Sequence, residues 1–297
     1  MAAPLPVRKR RVIVANVLKF EKKVAVVSML VGGCSINSIV RMTGVHKTTI
    51  LNLLVEVGDA CADLLDANVR SVPACEIQVD EIWSYVGKKQ GHLTPEDRRE
   101  RPELGDAYTF VAIDADSKLI VSHLVGKRDG WHATRFMQDV AMRLDGRRVQ
   151  VTSDGLEAYV GAVEAAFGMD VDYAMAIKEY DGEDAGRGRY SPPRVKRVNK
   201  IPVVGNPRPE AISTSYVERQ NLTMRMNMRR FTRLTNAFSK KLENLKAAVA
   251  LHFAFYNFCR IHESLKVTPA MQAGLVGSMW TIADLVSWSE SAVAQAA

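Results

Sequence analysis

What most restricts the fold of this chain is the order in which its hydrophobic periodicity changes after Ser71–Pro73. Glu76–Val86 (EIQVDEIWSYV) alternates like a strand. Tyr108–Ile113 and Leu119–Leu124 read as two more, with the turn-forming Asp114–Lys118 between them. His132–Leu144 is then an amphipathic helix, Val149–Thr152 a short strand, Leu156–Phe167 a second helix and Met169–Ala176 another strand. Gly87–Asp106 is a charged loop. Asp181–Pro209, rich in Gly, Pro and basic residues, reads as a loop inserted before a late basic helix. Three strands followed by alternating helices and strands require a mixed sheet with helices packed on its faces.

That order is the ribonuclease H-like α/β layout, expected over residues 71–275. Residues 1–70 read as a separate all-helical unit, and 276–297 as a C-terminal helical tail. In the first unit, Lys22–Leu30 is a helix stopped by Gly32–Gly33, and Ser35 caps a second helix with Ile36, Ile39 and Val40 inward. Thr43–Gly44–Val45 turns the chain into His46–Val57, where Ile50, Leu53 and Leu54 are buried positions. This is a helix-turn-helix pattern, which leaves Lys47, Thr48, Thr49 and Asn52 free to face a DNA major groove.

Charge is unevenly spread. From Arg187 to Lys241 there are 14 Lys/Arg against only Glu210 and Glu218, so a net +7 chain carries +12 in this block. Such a block meets a polyanion, and Arg194, Lys196, Arg197 and Lys200 are placed to track a DNA backbone. Cys34, Cys61, Cys75 and Cys259 are scattered, without zinc-ligand or disulfide spacing. The apolar stretch Ala247–Phe258 is too short to span a bilayer, and Lys240–His262 reads as a buried helix. A cytoplasmic, nucleoid-associated protein is expected.

Three carboxylates stand out. Asp80 lies in an otherwise apolar strand, where a charge is costly unless paired or bound to a metal. Asp154 follows the fourth strand in TSDG, at the strand end where ligands of open sheets gather; it also suits a simple turn. Glu218 heads the long basic run Ser213–Lys241. If Tyr216–Arg230 is helical, Arg225 and Arg229 lie within about 20° of Glu218 on one face. Ser215-x-x-Glu218 also fits a capping box. Glu81, neighbour of Asp80, should point to the opposite sheet face, and Asp114 is explained by its hairpin turn. Glu179, Asp181 and Glu183 could replace Glu218. Trp83 and Trp131 read as core or rim aromatics. Carboxylates converging from separate elements are what two-metal phosphoryl transfer needs, with ions roughly 3.5–4 Å apart.

VDEIWSYVGKK (79–89), TSDGLEAY (152–159), YVERQNLTMRMNMRRFTRLTNAFSKK (216–241) and FYNFCRIHESLKVTPA (255–270) resemble the transposases of IS1-like insertion sequences. More broadly they resemble DDE-type transposases and integrases of the ribonuclease H-like fold. The resemblance implies an acidic triad at Asp80, Asp154 and Glu218, and a basic partner at Arg225. It also implies two Mg²⁺ ions held by that triad, with Mn²⁺ as a substitute. The implied activity is binding of terminal inverted repeats, strand nicking and transfer of the 3′-OH to target DNA. Joining two ends at once would take at least a dimer. Three features depart from the family pattern: the 64-residue interval from Asp154 to Glu218 is long, the charged loop Gly87–Asp106 is extended, and the zinc motif often linked to IS1-type proteins is missing. The alternatives are a catalytically inactive DNA-binding protein, a repressor or decayed transposase of the same architecture, and a ribonuclease H-like nuclease.

Overall fold

A computed structural model describes residues 18–180, 195–232 and 235–295. The described chain opens with three helices, α1 (Phe20–Val31), α2 (Ile36–Thr43) and α3 (Lys47–Asn68). Ser35 caps α2 by accepting from the Ser38 N–H at 3.1 Å. Gly44 ends it at φ 68°, a conformation glycine takes without steric cost. α3 runs eleven residues beyond the expected Val57, because Cys61, Leu64 and Leu65 continue its buried stripe.

β1 (Glu76–Val86), the short helix α4 (Pro95–Glu100), β2 (Gly105–Asp114) and β3 (Ile120–Gly126) follow. α4 lies in the stretch expected to be a charged loop; a reciprocal Thr94–Asp97 capping box and Pro95 start it. Next come α5 (Gly130–Arg143), β4 (Val149–Ser153), α6 (Ala158–Phe167), β5 (Val171–Tyr180) and β6 (Val195–Val204). The described strands form one mixed sheet in the order β3-β2-β1-β4-β5-β6. β2 runs antiparallel to both β1 and β3, while β4 and β5 run parallel to β1. This is the expected ribonuclease H-like layout plus one strand.

The extra strand is a correction. Residues 195–204 fall in the stretch whose composition marks a loop, but they pair antiparallel with β5 and lengthen it to Tyr180. Most β6 side chains are exposed, so the segment carries no inward-outward alternation to mark it as a strand.

The remaining helices are α7 (Ser215–Asn227), α8 (Leu242–Ala254), α9 (Pro269–Gln272) and α10 (Ile282–Gln295). α8 is shorter than the expected Lys240–His262, because a wider turn takes over at Phe255–Cys259. That turn aims the Asn257 amide at the edge strand β3. Its Oδ1 accepts from Ile120 N and its Nδ2 donates to Ile120 O, both at 2.9 Å, covering an edge that would otherwise be open. One buried core runs from Val26 in α1 through the sheet to Val286 in α10. α3 and α8 meet closely at Gly58, where an added Cβ would stand 2.6 Å from the Ala247 Cα. Among the described residues no helix is long and apolar enough to cross a membrane.

Candidate active site

β1 and β4 pair only over Glu76–Gln78 and Gln150–Thr152. Past that point β4 ends and β1 continues, so the sheet opens beside Asp80 and Glu81. Asp154 sits in the turn at this gap, and its Oδ1 accepts from the Leu156 N–H at 3.0 Å. One carboxylate oxygen each from Asp80, Glu81 and Asp154 lies within 4.8 Å of the other two.

Alternation along β1 holds as expected. Gln78 and Asp80 face α7, whereas Glu81 faces α6 and accepts from the Tyr159 hydroxyl at 3.2 Å. Opposite faces do not keep Glu81 away from Asp80, however, and the expectation is corrected on that point. Where β4 stops, no backbone separates the two faces, and the longer glutamate side chain joins the group. Glu218 lies on α7, on the Asp80 side, and is not one of the three clustered acids. Its charge still helps raise the Asp80 pKa.

α7 is held in place by the sheet. The buried Gln78 Oε1 accepts from the Tyr216 N–H (2.8 Å) and the Val217 N–H (3.3 Å), so a strand side chain caps the helix. The Ser215–Glu218 capping box, the alternative role open to Glu218, does not form. The Thr214 hydroxyl instead donates to Glu218 Oε1 at 2.6 Å, and Lys178 of β5 pairs with the other oxygen. α7 also stops short of Arg230. Met228 turns to extended backbone and is buried with Phe231, which removes Arg229 from the helix face of Glu218. Arg225 remains in the last turn of α7.

Charges at the gap are crowded. Burial, then the charges of Asp154 and Glu81, push the Asp80 carboxyl up to about 7. Burial followed by Asp154 raises Glu81 too, while Arg128 and Tyr159 oppose the shift. The exposed Arg128 pairs with Glu81 and stands 4.0 Å from Asp154. Asn221 donates to Asp80 Oδ2 at 2.8 Å, and its own Oδ1 is buried with no hydrogen-bond partner. Clustered hard oxygens, an Asp80 carboxyl raised first by burial and then by its acidic neighbours, and an unused amide acceptor beside it fit a hard divalent cation.

Of the other expected residues, Lys47, Thr48, Thr49 and Asn52 are exposed at the start of α3. Lys196 and Arg197 are exposed on β6, where Arg197 pairs with Glu179 at 2.7 Å; that ion pair engages one of the alternative acids. Arg194, Asp181 and Glu183 lie outside the described residues. Sequence reasoning does not find Arg128, Lys178, Gln78 or Asn221. Only Asn221 carries a local signal, lying three residues after Glu218 on one helix face.

Neither a scan against family models nor a search of curated proteins finds a match. Among solved structures the chain is similar to piggyBac transposase in a synaptic complex with hairpin DNA, at 8% identity and TM-score 0.39, covering 92% of this chain and 72% of that one. It is also similar to the Mos1 mariner paired-end complex with Mn, at 10% identity and TM-score 0.32, covering 97% and 82%. A Mos1 transposase paired-end complex with the left transposon end matches at 11% and 0.21, covering 53% and 59%. Likeness at these scores does not reach individual side chains.

Proposed function

We propose that this chain is a DDE-type transposase of the IS1-like kind, which nicks DNA at element ends and joins the 3′-OH to target DNA. The observation that carries the reading is the meeting of Asp80, Glu81 and Asp154 at the β1–β4 gap, with Glu218 approaching from α7. Asp80, Asp154 and Glu218 would hold the divalent ions, Mg²⁺ or Mn²⁺, and Glu81 is added as a fourth candidate. Bound there, such ions supply activation of the attacking oxygen and stabilisation of the leaving oxygen.

The protein's own groups do the rest. Asp80 keeps a proton near neutrality that it must give up to act as a ligand. Arg128 and Lys178 hold Glu81 and Glu218 in fixed orientations, and Gln78 sets the height of α7 against the sheet. Arg225 lies about 20° around α7 from Glu218, placing a cation beside the acids for a phosphate backbone. Lys47, Thr48, Thr49, Asn52, Lys196, Arg197 and Arg229 supply DNA contacts. The partners are double-stranded DNA at the terminal inverted repeats and at the target, and at least a dimer assembles to join two ends. The division at residue 70 and the nucleoid-associated cytoplasmic setting belong to the same reading.

One observation favours a second reading, a DNA-binding protein without catalysis. Glu81, Asp154 and Glu218 already have Arg128 and Lys178 as counter-cations, an arrangement that needs no metal. Incubating the protein with the DNA flanking its gene, with and without Mg²⁺ or Mn²⁺, separates the two. Metal-dependent 3′-OH ends that vanish in Asp80→Asn and Glu218→Gln support the transposase. Tight binding with no breakage under either ion supports the repressor or decayed enzyme.

A further inference from the structure

The outer stripe at the start of α3, though exposed, borders a groove. A cavity of about 640 Å³ lies between that stripe and a wall formed by residues 229–230 and 235–244. One wall is a single stripe of α3: Lys47, Thr48, Leu51, Asn52 and Val55. The other includes Arg229, Arg230, Phe238, Lys240 and Lys241. A helix that reads duplex DNA must enter a major groove roughly 12 Å wide with its outer stripe uncovered. Here protein stands across a groove from that stripe, whose Lys47, Thr48 and Asn52 stay exposed. The space is within the roughly 300–1,000 Å³ of a small-ligand pocket.

The lining is strongly cationic. Its five lysines and arginines meet one carboxylate, Glu243, which is tied to Lys241 at 3.2 Å. Arg230 is the most telling of them. Its Nε donates to the neutral Ser239 hydroxyl at 2.8 Å, and among the described residues no carboxylate pairs with it. Burial alone lowers its guanidinium to about 10, so it stays a cation at neutral pH and lacks a counter-ion.

An aromatic row leads out of the groove. Phe238 stacks on Tyr85 with ring centroids 4.7 Å apart, and Tyr85 lies 5.7 Å from Trp83. Trp83 and Tyr85 follow Glu81 at every second position of β1, so they share its sheet face. Trp83 is 41% exposed rather than part of the core. Cations that track a backbone beside aromatic faces that stack bases are the two components of a single-strand site.

We propose that this groove holds an unpaired DNA strand. Phosphates lie on Arg230, Lys241 and Lys47, and bases pass over Phe238, Tyr85 and Trp83 toward Asp80 and Asp154. The assignment rests on the DNA-processing reading above and changes the role of α3, whose Lys47 becomes a backbone contact.

The test is fluorescence anisotropy of a labelled oligodeoxynucleotide with the full chain in EDTA, where no cleavage is involved. The same sequence as a duplex and as RNA gives the comparisons. Arg230→Gln should weaken single-strand binding about tenfold, and lower the slope of log affinity against log salt by about 0.7. Its effect on the duplex should be smaller. If thermal unfolding shows Arg230→Gln to be misfolded, the exposed Lys241→Glu and the partly buried Phe238→Ala replace it, with losses in the same order. Unchanged single-strand affinity in the folded variants would overturn the proposal. Equal losses on duplex and single strand would return α3 to duplex reading, and tighter binding of RNA would overturn the DNA assignment. Strand binding by a protein that never cleaves with metal would leave the groove standing and remove the catalytic reading.

Discussion

At the β1–β4 gap three of the four carboxylates have a cation in reach, Arg128 for Glu81 and Asp154 and Lys178 for Glu218, while Asp80 has only the Asn221 amide and a backbone N–H. In the groove beside α3 the balance is reversed, with five cations lining the space around one carboxylate. The first region can persist without a ligand and exchange its internal cations for small, doubly charged ones. The second has a single internal counter-charge, Glu243, for five cations and suits an extended polyanion. An enzyme that moves phosphodiester bonds needs both kinds of site, one for the ions and one for the strand.

The sharpest way to break the comparison is at Asp154. Asp154→Asn should lower metal-dependent strand cleavage roughly 10²–10³-fold, the loss typical of removing one transition-state-stabilising group. DNA affinity measured in EDTA should stay within about twofold of wild type. Parallel losses of both would mean that the two regions are not separate.

A second effect is on stability. Asp80 titrates near 7 in the folded protein against about 3.9 when unfolded. The folded state therefore holds the extra proton between these values, and stability falls as pH rises through that window. Asp80→Asn removes the penalty. Its melting temperature should exceed that of wild type by several degrees at pH 8, and the two should converge near pH 4. A variant less stable than wild type at pH 8 would contradict the crowding of charge at the gap.

Smaller effects come from the counter-cations and the helix cap. If Arg128 occupies the place of a divalent ion, Arg128→Gln should tighten Mn²⁺ binding up to about fivefold, given about 1 kcal/mol for an ion pair this exposed. Weaker Mn²⁺ binding in a calorimetric titration would assign Arg128 to holding the ligands in position. Gln78→Ala should cost about 1 kcal/mol in urea unfolding, the usual worth of a helix cap. It should also reduce cleavage, because α7 carries Glu218. Lost stability with cleavage intact would show that the height of α7 is unimportant to the reaction.

Much of the sheet is legible in the amino-acid pattern. β1 begins and ends at the expected residues, and β4 within one of them, because both have clear inward faces or sharp turn signals at their ends. β6 is not legible, since both its faces are largely exposed; pairing with β5 alone makes it a strand. Asp80 and Asp154 stand out by their place on strands, and the structure brings them together. Glu81 does not, since its inclusion depends on where β4 stops relative to β1, a matter of register between distant segments. Arg128 and Lys178 are likewise contacts across 47 and 40 residues, with no local pattern to announce them. The exposed Lys47, Thr48 and Asn52 carry the pattern of a helix free for a major groove. Only the placement of residues 229–230 and 235–244 shows what stands across from them.

The central claim is that the acids at the β1–β4 gap hold divalent cations, and Mn²⁺ binding followed by electron paramagnetic resonance tests it without any need for turnover. Wild type should remove Mn²⁺ saturably from the free-ion signal at neutral pH, and Asp80→Asn and Asp154→Asn should each abolish that uptake while remaining folded. Equal Mn²⁺ uptake by wild type and both variants would contradict the account.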